Sequence, residues 1–151
     1  VGFLDSNLDV DIAKTKEIVN LAEGMEVTFH RAFDICNRPL QNLEKAIECG
    51  CTRILTSGCK ATAHQGMDML KNLVAQANGR IKIMAGSGIN AGNAIEIINT
   101  TGVNEVHASC KHVVGKWIDS DVKQYLDPSN AIYSETDSNE VKRLYSLIAQ
   151  I

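Results

Sequence analysis

The chain alternates short apolar runs with longer segments in which apolar residues recur every three or four positions. The longer segments are typical of amphipathic helices, because that spacing places apolar side chains on one helical face. The short runs are too brief for helices and are rich in β-forming residues, so we interpret them as strands. The predicted strands cover residues 26–30, 53–56, 81–85 and 105–108. The apolar stripes of the predicted helices begin at Val10, Leu40, Met67, Ala91 and Val141.

A glycine stands at the end of each of the first four predicted helices. Glycine adopts the left-handed conformation that ends a helix at little steric cost. A predicted strand follows each of these glycines within a few residues; they are Gly24, Gly50, Gly79 and Gly102. The repeated order of strand, helix and glycine predicts parallel strands joined by right-handed crossovers.

Two α/β architectures fit this order, a doubly wound sheet and a (β/α)8 barrel. Compact units of similar length and very short strands favour the barrel. A closed barrel needs eight units in about 250 residues, whereas a chain of this length holds about five. We therefore predict a partial (β/α)8 TIM-type barrel, made of about the last five strand–helix units and a C-terminal helix. The opening residues 1–4 resemble the end of a strand.

The periodicity also predicts how the chain is organised. We expect a single domain over residues 1–151, with a partial barrel in 1–112 and a terminal helix in 139–151. Residues 113–138 break the repeat and carry Trp117, Tyr125 and Pro128. This segment is predicted to be an irregular excursion, since long stretches without periodicity are typical of loops.

Composition narrows the class of protein. Hydrophobic residues make up 44% and charged residues 22%, as in soluble globular proteins. No apolar run reaches the roughly 18 residues of a membrane span, and a net charge of −3 without a basic stripe argues against nucleic-acid binding. The odd number of cysteines and the lack of a secretion signal fit reduced thiols. We therefore expect a cytoplasmic protein with neither a membrane nor a nucleic-acid partner.

The first candidate cluster contains His30, Arg31 and Asp34, at the carboxyl end of a predicted strand. Function in barrels collects at this end. A histidine transfers protons, an arginine holds anions in its fork, and a carboxylate orients its neighbours. Alternatively, Arg31 and Asp34 pair with each other and His30 fills the barrel interior.

The second cluster contains Ser57, Gly58 and Cys59, after the next strand. Ser57 offers a hydroxyl group, and Gly58 allows the backbone to approach a ligand closely. Cys59 is a candidate soft-metal ligand or nucleophile. Turn chemistry alone also explains a serine followed by glycine, and free cysteines are often small buried hydrophobes.

Two further clusters follow the last two predicted strands. Gly86, Ser87 and Gly88 precede a helix, and amide groups at such a position bind anions; a tight turn also requires glycine. His107 points into the barrel or packs against helices. Cys110 stands two residues before His112 in a predicted loop, where both side chains reach one metal ion.

These motifs together resemble the CutC family of copper-homeostasis proteins. The resemblance is carried by residues 27–34, 53–58, 79–84, 86–88 and 105–109. It implies a cytosolic (β/α)8 barrel that oligomerises and is associated with copper tolerance and Cu(I) binding. It also implies a shared barrel mouth lined by His30, Arg31, Asp34, Ser57, Gly58, His107 and Ser109. Ser87 stands where the family usually has glycine, and the family's first three or so strands have no counterpart here.

Two functional hypotheses follow. The leading one is copper handling in the cytosol by a homo-oligomer, with Cu(I) bound through thiols such as Cys59 and Cys110. The alternative is an enzyme, or former enzyme, that acts on a small anionic or phosphorylated metabolite. Arg31 and the 86–88 loop then hold the anion, while His30, Asp34 or His107 moves protons. Whether the chain is an enzyme is left open.

Overall fold

Strands and helices alternate through the first part of the chain in the order that the apolar pattern predicts. The computed structural model describes residues 1–116 and 132–151. They form two units, Val1–Ala108 and Ser109–Ile151. The elements of the first unit are α1 (Ile12–Leu21), β1 (Thr28–Phe29), a 3-10 helix (Arg31–Ile35), α2 (Pro39–Glu48), β2 (Arg53–Thr56), α3 (Met67–Ala77), β3 (Lys82–Gly86), α4 (Ala94–Thr101) and β4 (Glu105–His107).

The four strands of the first unit form one parallel sheet in the order β1-β2-β3-β4. Val1 extends this sheet beyond β1. Its nitrogen donates to the Thr28 carbonyl over 2.8 Å, and its carbonyl accepts from the His30 amide over 2.7 Å. Bonding to two alternate residues of a neighbour is the pattern of parallel strands. The predicted α/β fold is therefore confirmed, and among the described residues the sheet is open.

Helices cover one face of this sheet. Successive side chains of a strand point to opposite faces, and those on the covered face, such as Phe29, Ile54 and Ala85, are fully buried. The helices contribute the fully buried side chains of Leu43, Leu70, Leu73 and Ile97. Burial of a large apolar side chain contributes about 1.5–3 kcal/mol, so this layer holds the sheet and helices together.

The other face carries an ion network at the amino ends of the strands. Arg53 on β2 bonds both carboxylate oxygens of Glu105 on β4, and its Nη2 lies 2.9 Å from Glu26 Oε2. Lys82 on β3 lies 3.2 Å from Glu26 and 3.5 Å from Glu105. The network joins three strands through side chains and pairs two cations with two carboxylates at this end of the sheet.

A buried polar cluster ties the segment before α1 to α2. Asn42 is fully buried; its Oδ1 accepts from the Val10 amide over 2.7 Å, and its Nδ2 donates to Asp9 Oδ1 over 2.9 Å. Hydrogen bonds from Asn42 and Lys45, followed by Arg38, outweigh the opposing effect of burial and lower the pKa of Asp9 to about 2. Asp9 therefore stays ionised at neutral pH, where it pairs with Arg38, the residue before α2, and with Lys45 in α2.

The second unit contains a strand pair and a helix. Strands β5 (Lys111–Lys116) and β6 (Ile132–Thr136) pair antiparallel, with an irregularity between Val113 and Gly115. Helix α5 (Ser138–Ile148) begins after Asp137, whose carboxylate accepts from the Asn139 amide over 2.8 Å. Of the helices in the described ranges, none is both long and apolar enough to span a membrane.

The strands β5 and β6 correct the prediction of an irregular excursion over 113–138, because they occupy both ends of that segment. The sequence pattern did not predict these strands, because the irregularity interrupts the alternation of apolar and polar residues. Val113 and Val114 are also exposed rather than packed in a core. The middle of the excursion, 117–131, lies outside the described residues. The single-domain organisation stays a prediction, and the terminal helix begins one residue earlier than predicted.

We expect Asn42→Ala to destabilise the first unit. The substitution leaves the Val10 amide buried without its acceptor, which costs about 1–3 kcal/mol. Gln41→Ala, on the exposed side of the same helix, is the matched control and should leave stability nearly unchanged. Urea unfolding followed by circular dichroism measures both, and equal midpoints for the two variants would contradict the structural role of Asn42.

Candidate functional site

One carboxylate, Asp34 of the 3-10 helix, gathers hydrogen bonds from the turn that follows β2. Its Oδ1 accepts from the hydroxyl of Thr56 and from the amides of Ser57 (3.0 Å) and Cys59 (3.1 Å). Its Oδ2 accepts from Arg31 Nε over 2.7 Å and from Ser57 Oγ over 3.0 Å. The carboxylate therefore fastens the segment after β1 to the turn after β2.

The surroundings of Asp34 keep it ionised. Its side chain is 8% exposed. Burial acts to raise the pKa of Asp34, but the bonds from Thr56, Arg31 and the Cys59 and Ser57 amides together lower it below its ordinary value. A carboxylate with every lone pair engaged is a poor acid or base. A catalytic role for Asp34 stays a prediction, and its hydrogen bonds hold the segment after β1 against the turn after β2.

Arg31 bonds Ser57 as well as Asp34. Its Nη2 donates to Ser57 Oγ over 3.0 Å, and 43% of its side chain is exposed. The sequence left open whether Arg31 pairs with Asp34, and the structure confirms that pair. Its Nη1 makes no hydrogen bond to a described residue, so one edge of the guanidinium is free for an anion. Two hydrogen bonds hold the guanidinium in place, so its side chain loses less conformational entropy when an anion binds.

His30 caps the same 3-10 helix. Its Nδ1 accepts from the Ala32 amide over 3.0 Å, which assigns the proton of the neutral ring to Nε2. The ring lies over Gly2, where a Cβ would stand 2.0 Å from His30 Cε1. Glycine at position 2 is therefore required for this orientation. His30 is exposed, and among the described residues its side-chain hydrogen bond is the one through Nδ1.

Close approach of backbone explains Gly58. A Cβ at Gly58 would stand 2.3 Å from the carbonyl oxygen of Gly66, and the φ of Gly58 is +68°. The sequence suggested that Gly58 makes room for a ligand, whereas here the chain itself fills that room. The neighbouring Ser57 is fully buried, and its hydroxyl contacts Asp34, Arg31 and the carbonyl of Lys60.

Cys59 is a partly exposed residue of this turn, with a free thiol and a backbone in the left-handed region (φ 59°). Burial, then the negative charge of Asp34, raises the pKa of Cys59 to about 11. The thiol is therefore protonated at neutral pH, which argues against the nucleophile considered from the sequence. Metal binding remains open to it, provided that the metal displaces the proton.

The loop after β3 is braced by the loop after β2. Ser87 Oγ donates to the Ala61 carbonyl over 2.8 Å, and the Ser87 carbonyl accepts from the Ala63 amide over 3.0 Å. A Cβ on Gly86 would lie 2.5 Å from Leu55, and one on Gly88 would lie 3.1 Å from Thr62. Backbone conformation (φ +71°) and packing therefore account for Gly88, whereas the atom near Gly86 is the end of a flexible side chain that can move. Anion binding by Gly86, Ser87 and Gly88 stays a prediction.

The last cluster is divided between the units. His107 ends β4 opposite Gly86 and is exposed, whereas Ser109 and Cys110 belong to the second unit. Ser109 is exposed, while Cys110 is buried and its thiol pKa is raised by burial and then by Glu140 and Asp137. His112 lies in β5 rather than in a loop, exposed and opposite Glu135.

Metal-ligating residues are sparse in the described parts of the chain. Within residues 1–116 and 132–151, no three His, Cys, Asp or Glu side chains come together around a metal-sized space. Sequence reasoning assigned no role to Cys36, a buried cysteine at the end of the 3-10 helix that carries Asp34. Its position two residues after Asp34 was the available signal. All five cysteines are free thiols.

We expect Asp34→Asn to lower the free energy of unfolding by about 2–3 kcal/mol at pH 7, since the variant loses charge-assisted hydrogen bonds. Because the pKa of Asp34 is lowered on folding, its stabilisation is present above its unfolded pKa of about 4 and is lost as pH falls through the folded pKa. The difference from wild type should therefore shrink on acidification in urea titrations.

The exposed carboxylate of Glu17 supplies a control for charge removal. Glu17→Gln should unfold with the wild-type midpoint at each pH. A stability difference for Asp34→Asn that stays constant from pH 7 to pH 3 would contradict an ionised, bonded Asp34.

Comparison with known proteins identifies the family. The sequence profile of the CutC family matches residues 1–112. The family protein CutC of Glaesserella parasuis serovar 5 is 43% identical over 150 residues, which are 98% of this chain and 62% of that protein. The corresponding protein of Pasteurella multocida is 49% identical over 111 residues, or 74% of this chain and 46% of that protein. The chain thus spans about half the length of these curated relatives.

Solved structures agree with this assignment. A CutC protein of Streptococcus agalactiae, named for a proposed role in copper homeostasis, matches with a TM-score of 0.67 and 32% identity over 71% of this chain and 53% of that one. The native KDPGal structure matches with a TM-score of 0.58 over 95% of this chain and 58% of that one; at 14% identity, this likeness concerns the fold alone. The chain described here belongs to the CutC family.

Proposed function

We propose that this chain takes part in copper homeostasis and binds Cu(I) through thiols, with Cys59 and Cys110 as the candidate ligands. The observation that carries the proposal is the place of Cys59, a partly exposed residue with a free thiol in a turn that Asp34 braces at the carboxyl end of β2. Function in parallel α/β folds collects at this end. The name of the S. agalactiae relative supports the same role.

The chemistry of the thiols suits a soft ion. Thiolates select Cu(I) over hard cations. Because burial raises the pKa of Cys59 to about 11, Cu(I) must replace the thiol proton, and binding releases that proton to solvent. The ion is then the cargo of the protein, and the site needs no nucleophile or acid–base group.

We also propose a cellular compartment and an oligomeric state for this function. Free thiols at all five cysteines support a reducing compartment such as the cytosol. Leu21 and Met25 are 67% and 71% exposed, and exposed apolar side chains that lie close in sequence support assembly into a homo-oligomer.

A second candidate function is supported by Arg31. Its guanidinium is fixed by Asp34 and Ser57, with one edge free, and the adjacent His30 carries an exposed Nε2 proton. A fixed guanidinium beside a neutral imidazole suits a small carboxylate or phosphorylated metabolite. In this alternative, Arg31 holds the anion, and His30 or His107 moves protons.

For the copper proposal, we expect reduced wild-type chain to bind Cu(I) tightly in anaerobic competition with a chromogenic chelator. The Cys59→Ser/Cys110→Ser double variant should lose that affinity because both candidate thiols are gone. Arg31→Ala, which leaves the thiols intact, is the matched control and should bind as wild type does. Equal affinity in wild type and the double variant would refute both candidate ligands.

For the anion alternative, phosphate should raise the melting temperature, since a ligand of the folded state stabilises by about 1.4 kcal/mol at ten times its Kd. Arg31→Ala should abolish the rise, whereas Arg143→Ala, which removes an exposed cation of α5, should preserve it. Differential scanning fluorimetry over a phosphate series measures the shift. An unchanged wild-type melting curve in excess phosphate would contradict anion binding by Arg31.

A further inference from the structure

We propose that Asn78 is a spontaneous modification site, at which the side chain closes on the backbone of Gly79 and converts to aspartate and isoaspartate. The two residues follow the last turn of α3, and both are exposed. They form the one Asn-Gly pair in the sequence. Neither copper binding nor anion binding, as proposed above, uses these residues.

Both reacting groups belong to this dipeptide. The backbone nitrogen of Gly79 attacks Cγ of Asn78, the bond from Cγ to Nδ2 breaks, and ammonia leaves with the proton of the Gly79 amide. The product is a succinimide ring, and water then adds to one of its two carbonyl groups. Opening at the side-chain carbonyl gives aspartate. Opening at the main-chain carbonyl gives isoaspartate, in which the backbone runs through Cβ and Cγ.

The fold leaves both reacting groups without hydrogen bonds. Among the described residues, none bonds the carboxamide of Asn78 or the backbone amide of Gly79. The carboxamides of Asn42 and Asn93, by contrast, donate to Asp9 and to a backbone carbonyl. Ring closure at Asn78 therefore breaks no hydrogen bond of the attacking nitrogen or of the leaving group.

The backbone conformation also favours the reaction. Asn78 caps α3 in the left-handed region (φ 45°, ψ 45°), and Gly79 follows with a φ of +73°. Two such residues in succession end the regular helix, so the Gly79 amide lies outside its hydrogen-bond ladder. A Cβ built on Gly79 meets no atom within 4 Å. The attacking nitrogen is therefore uncrowded, and glycine leaves it free to move.

Modification changes the end of α3. Isoaspartate lengthens the main chain by one atom within the turn that the Arg80 amide closes on the Ala77 carbonyl over 2.9 Å. The Arg80 side chain bonds the Gln76 carbonyl over 2.9 Å and Glu44 of α2 over 2.7 Å. Isoaspartate therefore disturbs a link between α2 and α3. Both products also place a negative charge at a helix C-terminus, where the helix dipole disfavours anions.

Peptide mapping of the folded chain tests the proposal. After incubation in warm, mildly alkaline buffer, trypsin releases residues 72–80, which lie between Lys71 and the cleavage site after Arg80. Mass spectrometry follows the conversion of amide to acid, and a protein isoaspartate methyltransferase labels the isoaspartate. We expect Asn78 to convert to both products. An unincubated sample corrects for conversion during digestion.

Asn72 supplies the control inside the same tryptic peptide. It is also exposed, but it stands within α3 and is followed by the buried Leu73. We expect Asn72 to stay intact while Asn78 converts. Equal conversion of the two asparagines would overturn the special role of the Asn-Gly pair.

A synthetic peptide of residues 72–80 shows whether the fold permits the reaction. Because the reacting groups are exposed and unbonded, we expect Asn78 in the folded chain to convert within about tenfold of its rate in the free peptide. Complete protection of Asn78 in the folded chain, while the peptide converts, would overturn the proposal.

Gly79→Ala tests the attacking nitrogen. The added Cβ hinders the approach of that nitrogen, so the loss of ammonia should slow about tenfold. Circular dichroism checks that this variant folds, since its φ of +73° strains an alanine. An unchanged rate in the folded variant would contradict the role of Gly79. Where the variant does not fold, the comparison of Asn78 with Asn72 in wild type decides the question.

Asn78→Asp reproduces one product and tests its structural effect. It should melt at a lower temperature than Asn72→Asp, which makes the same substitution within α3, away from its C-terminus. Equal melting temperatures for the two variants would contradict the expected effect of the modification on α3.

Discussion

The carboxylate of Asp34 is the contact on which this end of the first unit depends. It accepts hydrogen bonds from Arg31 on its own helix and from Thr56, Ser57 and Cys59 on the next strand and turn. Hydrogen bonds to a charged acceptor are roughly twice as strong as neutral ones. Two strands of a parallel sheet are thereby linked at their carboxyl ends, in addition to their backbone ladder.

This anchoring decides which groups remain available for function. Asp34, Ser57 and Gly58 are engaged by contacts within the chain itself, and their predicted roles in catalysis and ligand binding stay predictions. Within the described part of the chain, no residue bonds Arg31 Nη1 or His30 Nε2, and Cys59 has a free thiol. Copper binding uses the thiol, whereas an anionic metabolite uses the cation and the imidazole. The two proposed functions therefore depend on different atoms of one site and can be tested independently.

The sequence predicted the elements of the first unit because apolar periodicity is a local property, and α4 ends at Gly102 as expected. It also predicted that His30, Arg31 and Asp34 lie at a strand end. It did not predict that Asp34 is occupied by donors 22 to 25 residues away, since such contacts exist only after folding. The sequence also did not predict the strand pair of the second unit. Its valines are exposed and its register is irregular, so no alternating apolar pattern marks the strands.

The account is tested most directly by the backbone amide spectrum of the reduced chain during a Cu(I) titration. Cu(I) is diamagnetic, so amide signals beside the ion shift without vanishing. The account predicts that the Cys59 and Ser57 amides, which share Asp34 as acceptor, shift to a new position as one equivalent of copper is added. A titration in which these two amides stay in place would contradict copper binding at the turn that Asp34 holds.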